Sequence, residues 1–273
     1  MTPVHAARGD RFLALRRAVV ADERLGPADR RSALADLVDG WLARWFAAVP
    51  DSDAAGFAVV AVGGYGRREL LPCSDLDVVV LHDGGGDPAA VAERLFYPVW
   101  DAGLALDHAV RTVDEARVVA ANDLRAALSL LDARHVAGAA DLTERLRTEA
   151  LEDWRRQAAD RLPALADTCR ARAERVGELA HLLEPDLVQA YGGLRDSLAL
   201  RAVAASCVTD RPRGSAVEEA REWLLAVRDA LHRTTGRRRD RLVFEDQGVI
   251  AARLGLLDAD ALLRRVAEAG RAI

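Results

Sequence analysis

Lysine is absent from these 273 residues, so all 38 basic side chains other than histidine are arginine. That absence excludes a P-loop lysine, the strand lysine of a protein kinase and a Schiff-base lysine nucleophile. Arginine must therefore make every cationic contact to phosphate, a task its planar fork suits. Cysteine is scarce as well: three residues, an odd number without zinc-ligand spacing, argue against a disulfide scaffold and fit a reducing compartment. No apolar run approaches the roughly 20 residues of a membrane span, and the N-terminus lacks the apolar core of a signal peptide. A cytoplasmic protein with no membrane partner is expected. A basic surface is missing too, since the net charge is −5, which argues against a nucleic-acid partner. The bias toward alanine, arginine and valine reads as the base composition of a GC-rich genome.

What is present is a chain that is 51% hydrophobic and long enough to bury one or two cores. Residues 11–49 space Phe12, Leu15, Val19, Val20, Leu34, Leu37, Trp41, Trp45 and Phe46 as a helical hairpin would. Residues 57 to about 136 alternate strand and helix. Two strands come first, then a helix from Asp87 to about Ala102 after a Gly84-Gly85-Gly86 turn. A third strand spans about Leu104 to Thr112, followed by helices containing Val118 and Leu128. From about residue 139 the pattern is helical, with breaks expected at Pro163, Pro185, Gly192-Gly193, Asp210 to Gly214 and Thr235-Gly236. The division that follows is a helical segment over 1–50, a core over 51–136 and a helical domain over 137–273. There is no internal repeat. Trp41, Trp45, Trp100, Trp154 and Trp223 are expected in apolar helical faces.

The most informative stretch is Gly63-Gly64-Tyr65-Gly66-Arg67-Arg68-Glu69-Leu70-Leu71-Pro72-Cys73-Ser74-Asp75-Leu76-Asp77. It lies between the apolar runs Ala58 to Val62 and Val78 to Leu81, both read as buried strands. Side chains two apart on a strand share a face, so Asp75 and Asp77 project together with Cα atoms roughly 6–7 Å apart. Two like charges there call for a cation, and carboxylates suit Mg²⁺, which completes its shell with water and substrate phosphates. Glycines without Cβ let the backbone bring N–H groups against a triphosphate. Gly63 and Gly64 are the candidate backbone donors, Ser74 a further hydrogen-bonding group, and Arg67, Arg68 or Arg111 the candidate phosphate cations. Arg67 and Arg68 are read as helical, with Glu69 holding them in place. His108 is read as a packed strand residue rather than a catalytic base.

A strand, a Gly-Gly turn, a short helix and Asp-x-Asp opening the next strand resemble the polymerase-β-type nucleotidyltransferase superfamily. The fuller string resembles the PII uridylyltransferases of the GlnD family. Trp100 to Leu104 followed by His108 to Thr112 looks like that family's third active-site strand. Leu183 to Leu187, Gly192-Gly193-Leu194-Arg195-Asp196, Leu231-His232, Thr235 to Arg238 and Asp240 to Leu242 look like its helical segment, so the resemblance runs from about residue 57 to about 256. Cys73 stands where relatives usually carry tyrosine. The family's nucleotide-removing His-Asp domain and ligand-sensing domains have no counterpart here, and the one His-Asp dipeptide is His82-Asp83. The chain is expected to be the transferase half of such an enzyme, either shortened or a fragment.

The resemblance implies an α+β fold: a polymerase-β-like nucleotidyltransferase core, with a small mixed sheet and helices, followed by a mostly helical domain, the nucleotide lying in the cleft between them. It implies transfer of UMP from UTP to a tyrosine of the PII signal protein, with ATP as the other possible donor and a non-catalytic nucleotide- or PII-binding module as the alternative from another class. Two Mg²⁺ ions are implied, one held by Asp75 and Asp77 and the other shared with a third acid. Asp107 is the candidate for that acid, as glutamine-synthetase adenylyltransferases carry aspartate four residues before an arginine at this place; Asp101 is the reserve. Gly193 and Arg195 at a helix start are candidates for the nucleotide, with a docking role for that helix as the competing reading.

Overall fold

The computed structural model describes residues 3–50, 54–208 and 216–273, with side chains from residue 9 onward. The expected break from Asp210 to Gly214 lies outside the described residues. The chain divides into two compact units, Met1–Leu70 with Ser74–Asp153, and Leu71–Cys73 with Trp154–Ile273.

The first unit opens with α1 (Pro3–Ala21) and α2 (Pro27–Phe46), the expected hairpin. Pro27 begins α2 because its fixed φ suits a first turn and its missing N–H would have had no helical partner there. Then come β1 (Phe57–Ala61), the single turn α3 (Gly63–Gly66), β2 (Leu76–His82), α4 (Pro88–Asp101), β3 (Leu106–Arg111), α5 (Val113–Asn122), α6 (Leu124–Leu130), β4 (Arg134–Gly138) and α7 (Ala140–Arg156). The four strands form one mixed sheet in the order β3-β2-β1-β4. β1 pairs antiparallel with β2 and β4, while β2 and β3 run parallel across the α4 crossover. Every residue of β1 is buried, which explains its unbroken apolar run.

One sheet face (Phe57, Val59, Ala61, Leu76, Val78, Val80) packs against Leu34, Val38, Trp41 and Leu42 of α2 and Val91, Leu95, Phe96 and Val99 of α4. Period-two alternation then turns Asp77, Val79 and Leu81 to the other face. β4 had no strand signal and lies across the expected boundary between 136 and 137. Its sequence Arg134-His135-Val136-Ala137-Gly138 is only half apolar, because it is an edge strand with partly exposed residues. Trp100 also departs from expectation: it is exposed, lying edge-on to Tyr97 and His108 at the end of α4.

The second unit is helical: α8 (Ala158–Val176), a 3-10 turn (Leu179–His181), α9 (Leu194–Ala205), α10 (Ala216–Thr235), α11 (Phe244–Arg253) and α12 (Ala259–Ala272). Its core gathers Leu187 and Leu194 with Leu224, Val227 and Leu231 of α10, Ile250 of α11, and Leu262 and Val266 of α12. The break expected at Pro163 falls instead at Gln157, and α8 carries Pro163 inside it. A proline there costs one backbone hydrogen bond, while Leu165 and Arg172 farther along the same helix are buried. Among the described residues no helix is long and apolar enough to cross a membrane.

Candidate active site

The glycine turn is braced from behind. Gly63 adopts a left-handed φ of 53°, and Arg67 caps the single turn α3. Tyr65, fully buried on that turn, donates its hydroxyl to Asp39 of α2, and the Arg134 guanidinium grips the same carboxylate at 2.7 and 3.0 Å. Burial, then the Asp39 charge, pushes the Tyr65 phenol up, so it stays a neutral donor. Arg134 also donates to the carbonyls of Tyr65 and Gly66. Gly66 must be glycine because a Cβ there would stand 2.1 Å from the Asp132 carbonyl oxygen.

Arg67 and Arg68 are not helical as expected. The helix ends at Gly66, Arg67 turns the chain, and Arg68 has a left-handed φ of 62°. The Arg67 guanidinium pairs with Glu69 at 2.9 Å and with Asp132, while Arg68 reaches Asp36 and Ser32 of α2. Glu69 thus holds an arginine, as its sequence position suggested. Both guanidinium groups work inside the turn's scaffold in this arrangement.

The front of the turn faces Asp77. A Cβ on Gly63 would come within 2.8 Å of the Asp77 Oδ2 and 3.3 Å of the Ser129 Oγ, and the Gly64 N–H donates to the Asp77 carboxylate. The Val62 N–H donates to the Asp77 carbonyl oxygen at 3.0 Å, stitching the end of β1 to β2. Asp107 lies directly beside Asp77 in the parallel register of β2 and β3, with Ala109 against Val79 and Arg111 against Leu81. Adjacent residues in register share a face, so Asp77 and Asp107 project together. Asp75 sits one residue ahead of β2. Burial first, then the charges of Asp107 and Asp75, raise the Asp77 carboxyl to about 6, against opposing pulls from Arg67 and the Gly64 N–H.

That electrostatic pattern tests whether the acids suit a divalent cation. Three carboxylates supply hard oxygen donors, and Asp77 feels the repulsion of both others. Among the described residues no three acidic, histidine or cysteine side chains form a ready-made metal cage. The chemistry of the carboxylate oxygens themselves fits a hard divalent cation that takes the rest of its shell from phosphates and water. His108, on the opposite face of β3, packs against Phe96 at 4.5 Å and Trp100 at 5.4 Å, in keeping with its reading as a strand residue. Ser129, Asp132, Asp39 and Arg134 went unseen in sequence. They lie between 26 and 69 residues from the turn positions they serve, and no local pattern connects them.

The second glycine pair is built differently. Gly192 has a φ of 80°, and a Cβ there would stand 2.3 Å from the Gly270 carbonyl oxygen of α12. Gly193 precedes α9, and a Cβ on it would meet three carbonyl oxygens within about 3 Å, those of Ala190, Leu187 and Val188. Its N–H donates to Ala190, that of Leu194 to Leu187, that of Arg195 to Val188 and that of Asp196 to Gly193. The anion seat expected at Gly193 therefore has its leading donors already engaged, and Asp196 is buried against Arg172 while accepting the Gly192 N–H at 2.8 Å. Close backbone packing explains both glycines.

A small mixed sheet with a glycine turn entering an acid-bearing strand and a further acid in register on its parallel neighbour, followed along the chain by a helical region, is the α+β architecture of the nucleotidyltransferase class. Residues 160–273 match the family described as GlnD PII-uridylyltransferase. A protein of Streptomyces coelicolor named bifunctional uridylyltransferase/uridylyl-removing enzyme is 60% identical over 252 residues, 92% of this chain and 30% of that protein. Proteins of the same name from Mycobacterium tuberculosis and Corynebacterium glutamicum are 43% and 39% identical, over 98% and 80% of this chain and 34% and 31% of their own lengths. The chain belongs to the GlnD PII-uridylyltransferase family and spans about a third of the length of these curated relatives.

Proposed function

We propose that this chain is the nucleotidyltransferase part of a PII-modifying enzyme, transferring UMP from UTP to a tyrosine hydroxyl of a PII-type protein in the cytoplasm and releasing pyrophosphate. The observation that carries the reading is the Asp77 carboxyl, raised to about 6 by burial and by two neighbouring acids while it faces a glycine turn. Such a group is poorly stable as an anion until a cation arrives with the substrate. Asp75 and Asp77 are assigned to hold Mg²⁺ with the triphosphate. The bound cation neutralises phosphate charge and makes the attacking hydroxyl more acidic, useful for a phenol whose ordinary pKa is about 10.

The remaining roles belong to the protein's own groups. Gly63 and Gly64 let the backbone approach the triphosphate, with Ser74 as a further hydrogen-bonding group. Asp107, exposed on β3, is assigned to the incoming hydroxyl and its proton, and a second Mg²⁺ would share this acid. Arg111, on the same face as Asp107, is assigned to phosphate charge. The phenolic oxygen bonds to the α-phosphorus, the bond to the β-phosphate bridging oxygen breaks, and pyrophosphate carries the electron pair away. Arg67 contributes by holding the turn and opposing the rise in the Asp77 pKa. Gly193 and Arg195 are assigned to the architecture of the second unit.

The test is transfer of label from UTP or ATP, with Mg²⁺, to the PII-type protein of the same genome. Label from UTP is expected, and label from ATP alone would reassign the base. Asp75→Ala combined with Asp77→Ala is expected to abolish transfer with the fold retained. Activity surviving in that variant would refute the metal assignment.

A further inference from the structure

Between the glycine turn and Asp75 the chain leaves the first unit for three residues. Leu70 is buried in the core of the first unit, Leu71 to Cys73 group with the second, and Ser74 returns to the first. Inside the second unit the Cys73 N–H donates to Nδ1 of His232, a contact between residues 159 apart in sequence. The His232 side chain on α10 is wholly buried. Its other ring nitrogen, Nε2, faces Asp240, whose Oδ1 is 3.9 Å away and is bound at 2.6 Å by the Arg228 Nε; against the effect of burial, His232 and Arg228 hold that carboxyl down at about 2. Accepting from Cys73 fixes the tautomer, with the lone pair on Nδ1 and the proton on Nε2. An imidazole in a helical core costs more to bury than an aliphatic side chain of similar size, so packing alone does not account for it.

We propose that His232 is a positioning residue for Asp75: by taking the Cys73 N–H it anchors the peptide two residues ahead of the first acid of the site. Two residues of chain span at most about 7 Å, so an anchor at Cys73 restricts where the Asp75 carboxylate can lie. The inference rests on the reading of Asp75 as part of the transfer site, yet the anchor can be read without transfer.

The experiment compares three variants of the full chain. Asn puts its amide oxygen where Nδ1 stands, whereas Gln puts its own where Nε2 stands, and Leu has no acceptor. His232→Asn is expected to keep kcat within about threefold of wild type. His232→Gln and His232→Leu are expected to lose kcat by about a hundredfold, the scale of a misplacement of about 1 Å, with little change in KM for the PII-type acceptor. In parallel, hydrogen exchange of the Cys73 amide should stay slow with Asn and become fast with Gln and Leu. If Leu prevents folding, the contrast between Asn and Gln decides. Slow exchange in the Gln variant, or equal kcat in the Asn and Gln variants, overturns the proposal. If wild-type chain transfers no nucleotide, the transfer reading and the role toward Asp75 fall together, while the exchange pattern separately reports whether the Cys73 anchor exists.

Discussion

Each unit of the molecule has a Gly-Gly pair followed by aspartate, and the two do opposite things with their charge. Gly63-Gly64 faces Asp77, whose carboxyl sits among two other acids and is raised to about 6. Gly192-Gly193 leads to Asp196, which is buried against the Arg172 guanidinium and accepts the Gly192 N–H. The second pair is closed: its donors and its acid are satisfied within the protein, and its glycines make room for backbone. The first pair is left electrostatically unbalanced, which is expected of a site completed by a ligand. The lesson is that glycine pairs are told apart by charge compensation around them rather than by their own sequence.

The contrast predicts mutational effects of opposite sign. The largest should come from Asp196→Ala, which strands a buried arginine and the Gly192 N–H, with a loss of about 3–5 kcal/mol in denaturant unfolding. A loss below about 1 kcal/mol would mean that the second pair is not closed. Gly192→Ala should cost about 2–4 kcal/mol, because a left-handed backbone and a collision with a carbonyl oxygen add together. Gly63→Ala should cost less, about 1–2 kcal/mol, because the atom it meets is an aspartate side chain that can swing aside. The same swing should disturb the site, so its main effect should be lost nucleotide transfer. Equal stability losses for the two glycines would erase the distinction.

Asp77→Asn should move stability the other way. The folded protein holds a proton on Asp77 up to about pH 6, whereas an unfolded chain releases it near 4. Between those values the native state binds more protons, so the wild type loses stability as pH rises and regains it as pH falls. The asparagine variant lacks this dependence. Without metal it should be more stable than wild type by roughly 1–3 kcal/mol at pH 8, with the difference shrinking to little below pH 4. Added Mg²⁺ should narrow the gap by stabilising only the wild type. Thermal unfolding across pH with and without Mg²⁺ measures this, and a variant less stable than wild type at pH 8 would contradict the unbalanced reading.

Much of the first unit was legible because its signals are local. The apolar run of β1, the alternation that turns Asp77 away from the core, and the glycine triplet before α4 each fall within a few residues of what they control. β4 was not legible, as an edge strand buries little and so shows little pattern. Nor were Arg67 and Arg68, whose helical reading fails because the turn stops at Gly66 to give Arg67 to Asp132 and Arg68 to α2. Gly193 looked like an anion seat because a helix start after glycines has the right local form. Only the carbonyl oxygens of Leu187, Val188 and Ala190 reveal that its donors are taken.

Sequence by itself determined the spacing of Asp75 and Asp77, the glycine turn before them and the absence of any lysine to compete for phosphate, because these follow from chain order and residue chemistry. Tertiary structure alone decided that Asp107 stands beside Asp77, that Asp39 and Arg134 brace the turn and that His232 receives the Cys73 N–H. Strand register and helix packing join residues dozens to more than a hundred positions apart. A carboxylate's energy depends on which charges fold toward it, a quantity no short window of sequence contains.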